Sequence, residues 1–207
     1  MLKRTTGRLL LLLLVATGFA GTIDNTAISS AERKYAAGLM KETYKTAVNS
    51  VKGLSETQLN YKASADKWSV KDCIYHIAGA EKLLWTLFEG TMKAPANPEL
   101  RTEIKVTDEQ FVKMVQDRTQ KAQAPEPIQP KNTGYADLEA ALADFKTNRM
   151  EHIKYIKNST EDLRNHVVKM PFGHIDCYQL YLMIAAHSSR HTAQLNEVKA
   201  DAGFPTK

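Results

Sequence analysis

The sequence predicts an all-α protein, a four-helix bundle with a long crossover between helices two and three. Three observations carry that expectation. Four long segments have helical composition and hold almost no glycine or proline in their interiors. Their β-branched residues are scattered and do not alternate as strands require. All but two of the seven prolines fall in the stretches TMKAPANPEL, KAQAPEPIQPKNTG, which rule out continuous helix between the second and third segments.

The first helix is expected over 31–52, with Ser29 as N-cap, Glu32 completing a capping box and Gly53 ending it. The second is expected over 70–88, opened by Ser69 with Asp72 at the reciprocal position and closed before Gly90. The third and fourth are expected over 135–158 and 176–201, the last ending near Gly203 and Pro205. Residues 91–133 form the crossover. Within it, Thr107 and Gln110 pair as a capping box and predict a minor helix. One long connection is an established way to join four amphipathic helices.

Ahead of the bundle, Lys3, Arg4 and Arg8 precede an apolar run from Leu9 to Ala16, and Gly18-Phe19-Ala20 offers a small-residue cleavage site. Residues 1–20 therefore read as a secretory signal peptide, and the mature protein as periplasmic or secreted. The alternative is anchoring by an uncleaved N-terminal segment. The run is too short for a comfortable membrane span, so none is expected to remain after cleavage. The leader carries three of the five net positive charges, leaving +2 on a surface of interspersed Lys and Glu. That pattern lacks the basic face of a nucleic-acid-binding protein. Two cysteines, Cys73 and Cys177, are too few to staple a scaffold, so the core has to hold the fold.

The candidate chemistry lies in histidines on apolar faces. In the fourth helix Ile184, His187, His191, Gln194, Leu195 and Val198 share an arc about 120° wide. The i,i+4 spacing sets both imidazoles on one side, where they can chelate. His76 lies in the stripe Cys73, His76, Ala80, Leu83, Leu87 of the second helix. Three histidines on facing stripes predict a divalent metal site with open positions; the alternative is histidines packed in the core of a protein–protein adaptor without metal. His152 shares a face of the third helix with Leu138, Leu142, Phe145, Arg149 and Ile156. It is the candidate fourth ligand or supporting group, and Gln194 a candidate pocket residue or partner of bound water. Cys73 is a further sulfur donor, or a small core residue. No carboxylate base neighbours the triad in sequence: Asp72 reads as a cap and Glu81 as solvent-facing. Metal identity is open among zinc, nickel, iron and manganese.

The stretches KWSVKDCIYHIAGAEKLL and PFGHIDCYQLYLMIAAHSSRHTAQLNEVKADAGFP together resemble the DinB-like (damage-inducible) superfamily. The resemblance covers residues 28–206. It rests on Trp-Ser-Val opening the second helix, a histidine shortly after, and His-x-x-x-His-x-x-Gln in the last helix. It implies a metal-binding four-helix bundle, commonly a homodimer, with ligands at His76, His187 and His191. It also implies a metal-dependent enzyme acting on an unknown small-molecule substrate, a transferase or hydrolase using metal-activated water or thiol. Export departs from the cytoplasmic thiol chemistry of the family and sets the thiol cosubstrate in question. The alternative is a non-catalytic metal-binding or sensing protein of the cell envelope.

Overall fold

The computed structural model describes residues 27–121 and 123–206; the expected signal peptide lies outside them. The elements are α1 (Ser30–Val51), α2 (Glu56–Asn60), α3 (Val70–Lys93), α4 (Asp108–Gln116), α5 (Leu138–Asn158) and α6 (Cys177–Lys199). A short hairpin, β1 (Val167–Met170) and β2 (Gly173–Asp176), joins α5 to α6. Capping boxes start α1 at Ser29, α3 at Ser69 and α4 at Thr107. The four long helices thus form where their caps and composition direct.

One helix end lies beyond the expected bounds, one helix start falls at the edge of them, and one connection carries structure outside the sequence expectation. Helix α3 runs through Gly90, which has open space around it, and stops only at Ala94, held extended ahead of Pro95. Helix α5 starts at Leu138, because Gly134 adopts a positive φ of 75° and Asp137 caps the Ala140 amide. The connection ahead of α6 is a hairpin turning at Pro171-Phe172, with Gly173 at φ 129°.

Each long helix packs on two others: α1 on α5 and α6, and α3 on α5 and α6. The diagonal pairs of the bundle are therefore α1 with α3 and α5 with α6, while α3 and α5 are neighbours. End contacts give the directions. Tyr178 donates to the Glu32 carbonyl and Lys199 to the Ser50 carbonyl, so α1 and α6 run parallel. Arg33 reaches the Ser159 carbonyl, so α1 and α5 are antiparallel. Helices α3 and α5 are parallel, since Tyr75 meets Tyr135 near their starts and Trp85 meets Tyr155 further on. A parallel pair needs a crossover, which residues 94–137 supply, laying α4 against α6 on the way.

The core is two apolar clusters. One gathers Met40, Phe88, Phe111, Ile156, Tyr181 and Ile184; the other gathers Ala47, Ile74, Ile77, Phe145 and Leu195. Between them lies a polar layer built around Arg149, which is 0% exposed. Its guanidinium donates to both Glu81 oxygens at 2.8 and 2.6 Å, to the Met40 carbonyl, to Thr43 Oγ1 and to Ser188 Oγ. All five donors are used, and α5 is tied to the other three long helices at one level. Glu81, expected at the surface, is 1% exposed. Conversely Leu83 is 39% exposed and Leu87 only partly buried, so the α3 core stripe turns toward Ile77, Glu81, Leu84 and Phe88.

Candidate metal centre

Helix α3 begins at the Ser69 cap, and His76 follows on its buried face among Cys73, Ile74 and Ile77. Helix α6 presents His187 and His191 one turn apart on the face that meets α3. Since α3 and α6 pack closely, three imidazoles from two helices converge. His76 Nε2 lies 3.3 Å from His187 Nε2 and 3.1 Å from His191 Nε2. Two nitrogens bound to one tetrahedral ion would stand about 3.3 Å apart. His76 and His191 are buried, whereas His187 keeps partial contact with solvent, so the approach to the triad lies on its side.

The outer ring nitrogens fix the tautomers. His76 Nδ1 is 2.7 Å from the Ile128 carbonyl, which can only accept, so Nδ1–H donates and Nε2 carries the lone pair. His191 Nδ1 stands 2.9 Å from Gln194 Oε1, and Nδ1–H donates there too. Two unprotonated Nε2 atoms therefore face each other at 3.1 Å with no proton between them. A shared cation removes that repulsion, so the donor set suits a divalent ion in chemistry and spacing. Burial holds all three imidazoles toward the neutral form. His187 is pushed down to about 3, first by burial and then by the neighbouring His76. His76 and His191 are lowered as well, burial again leading.

Trp68, directly before the α3 cap, lies against two of the rings, 4.8 Å from His76 and 5.7 Å from His191 between centroids. The crossover closes the other side. Gly79, one turn beyond His76, lets it approach: a Cβ there would come within 3.1 Å of Thr133 Cγ2 and 3.6 Å of Ile128 Cγ2.

The remaining candidates sort by contact. His152 stands apart from the triad, stacked on Trp85 at 4.0 Å and bonded through Nδ1 to Glu81 Oε1 at 2.9 Å. Gln194 bonds His191 from behind. Cys73 packs in the apolar cluster, and burial pushes its thiol well above the usual range. Among the described residues, no carboxylate joins the histidine cluster. Sequence reasoning missed Arg118, which donates to Gln194 Oε1 at 3.2 Å and sits in the irregular crossover, where spacing carries no signal. It also missed Glu197, which grips Arg118 through two bonds.

Two surface clefts, about 470 and 640 Å³, lie by Tyr155 and Ser159 and by Tyr44 and Leu138; neither contains a triad residue.

Comparison with known proteins bears on the arrangement. A family profile described as the DinB superfamily matches residues 39–195. The uncharacterized protein YuaE of Bacillus subtilis (strain 168) is 26% identical over 154 residues, 73% of this chain and 89% of that protein. The structure of YfiT from Bacillus subtilis, described as a probable metal-dependent hydrolase with an unusual four-helix bundle topology, superposes with a TM-score of 0.58. It shares 15% identity, over 86% of this chain and 92% of that one.

Proposed function

Because the chain belongs to the DinB superfamily, we propose that it is a divalent-metal-dependent hydrolase acting on a small molecule, with His76, His187 and His191 as ligands. One observation carries the reading. Three imidazole Nε2 atoms meet, two of them oriented from behind, and among the described residues His187 is the triad member that keeps partial exposure. A divalent ion held there supplies Lewis acidity and makes a water or thiol nucleophilic near neutral pH.

The chain's own residues do the rest. Ile128 and Gln194 hold His76 and His191 in the ligating tautomer, while Trp68 packs against their rings. Glu81 is committed to Arg149 and does not serve as a free base. Hydrolysis is preferred to thiol transfer for two reasons: the described chemistry of YfiT, and the leader, which would export the protein away from cytoplasmic thiols. Export and the homodimer implied by the family are part of the proposal. No helix among the described residues is long and apolar enough to cross a membrane. That no carboxylate among the described residues joins the cluster favours a second reading, a non-catalytic metal-binding or sensing protein of the cell envelope.

Elemental analysis of protein from its native compartment should find about one zinc, nickel, iron or manganese per chain. Alanine at His76, His187 or His191 should abolish stoichiometric binding, and His152→Ala should retain it. Unchanged metal content in His187→Ala would refute the ligand assignment. Metal-dependent turnover of activated esters or amides separates the enzyme from the second reading.

A further inference from the structure

We propose that Arg118, anchored by Glu197, is a positioning residue that sets the tautomer of His191 through the amide of Gln194, and so controls the affinity of the triad for its ion. The affinity part rests on the metal-binding reading; the tautomer part does not.

A glutamine amide has two ends of nearly equal size, and either can face a neighbouring ring nitrogen. With Oε1 toward His191, the ring keeps its proton on Nδ1 and offers the Nε2 lone pair to the triad. Reversed, the amide N–H would donate to Nδ1 and force the proton onto Nε2, where it would point at His76 and block ligation. Arg118 decides between these states. Its Nη1 donates to Gln194 Oε1 at 3.2 Å, the atom that also accepts from His191 at 2.9 Å, so the amide N–H end is turned away.

The guanidinium is itself fixed. Nε and Nη2 donate to the two Glu197 oxygens at 2.6 and 2.7 Å, a fork that sets its plane as well as its position. Glu197, Gln194 and His191 recur every three residues on α6, which lines up the relay along one edge of the helix. The neighbouring backbone is seated on α6 by Gln116 bonding Ser189 Oγ and by Arg190 bonding the Gln120 carbonyl. The crossover therefore acts on both buried ligands, through the Ile128 carbonyl on His76 and through Arg118 on His191.

Ring ¹⁵N shifts of the metal-free protein test the tautomer directly. His191 should be protonated on Nδ1 in wild type and in Gln194→Glu, which keeps an acceptor facing it. It should move substantially to the Nε2–H form in Gln194→Leu and Arg118→Ala, with Arg118→Lys between. Cobalt(II) titration, followed by its visible absorption and by chelator competition, tests the consequence. Affinity should fall about 10–100-fold in Gln194→Leu and Arg118→Ala and stay within about threefold in Gln194→Glu. Far-ultraviolet circular dichroism and the metal-free thermal midpoint confirm that each variant is folded. An Nε2–H His191 in wild type, or wild-type tautomer and affinity in Arg118→Ala and Gln194→Leu, overturns the proposal. If wild type shows the Nδ1–H form but takes up no cobalt, the metal reading fails, and with it the affinity half.

Discussion

A carboxylate shut away from water needs a counter-charge, and Glu81 has a guanidinium on both oxygens and an imidazole on one. Burial pulls its carboxyl up, but the Arg149 charge and the bonds from His152 and Arg149 outweigh this and hold it below its ordinary value of 4.5. A depressed carboxyl stabilises the fold fully above that value and loses its contribution as pH falls through the lowered one. Glu81→Gln should therefore cost about 3–5 kcal/mol near pH 7 by leaving Arg149 unpaired. Its thermal midpoint should then fall less steeply than wild type below pH 4.5; equal acid slopes would show that Glu81 does not titrate with folding. Half of this pair was legible in the sequence. Arg149 stood on a face with Phe145 and Ile156, and a buried arginine requires an acid; which acid depends on how α3 and α5 rotate against each other, which local spacing does not encode. The convergence of the triad was legible because its histidines sat on facing stripes of two helices; an apolar stripe alone did not suffice, since His152 on α5 is satisfied by Glu81 and Trp85 instead.

At the scale of elements, caps and proline positions carried most of the information, since both act through the backbone within a few residues. The hairpin after α5 was overlooked, although Val167-Val168 before a Pro-Phe-Gly turn is a local strand signal; four-residue strands are too short for alternation to stand out. The path of the crossover was not legible, because it is set by side-chain contacts distant in sequence. Gly79 is the clearest case, a mid-helix glycine whose bare Cα makes room for Ile128 and Thr133. Alanine there would gain about 1 kcal/mol of helix propensity against a close contact. Valine adds two methyl groups and should displace the turn whose carbonyl orients His76. Gly79→Val is expected to weaken cobalt binding at least tenfold. Wild-type affinity in that variant would show that the crossover does not need its close seat on α3.

Across the whole molecule, the helix directions decide what the two cysteines can do. His76 lies level with His187 and His191, and α3 runs antiparallel to α6, as the approach of Phe88 to Tyr181 also requires. Cys73 is one turn before His76, while Cys177 begins α6, more than two turns before His187. At 1.5 Å per residue the two sulfurs are about 22 Å apart along the bundle axis. They belong to different core clusters on either side of the Arg149 layer. A disulfide needs α-carbons within about 7 Å, so no local adjustment can join them. Both are free and buried. The Cys177 thiol is pushed up to about 12 by burial and by the Asp176 carboxylate, and Cys73 is also raised well above the ordinary thiol value. With so little thiolate at neutral pH, neither is a ready nucleophile, even in the oxidising compartment that export would supply. Denatured protein without reductant should titrate two thiols per chain, and native protein close to none over the same interval. A bridged 73–177 peptide in a non-reduced digest would require α3 to slide several turns along α6, which would also separate His76 from the other two histidines.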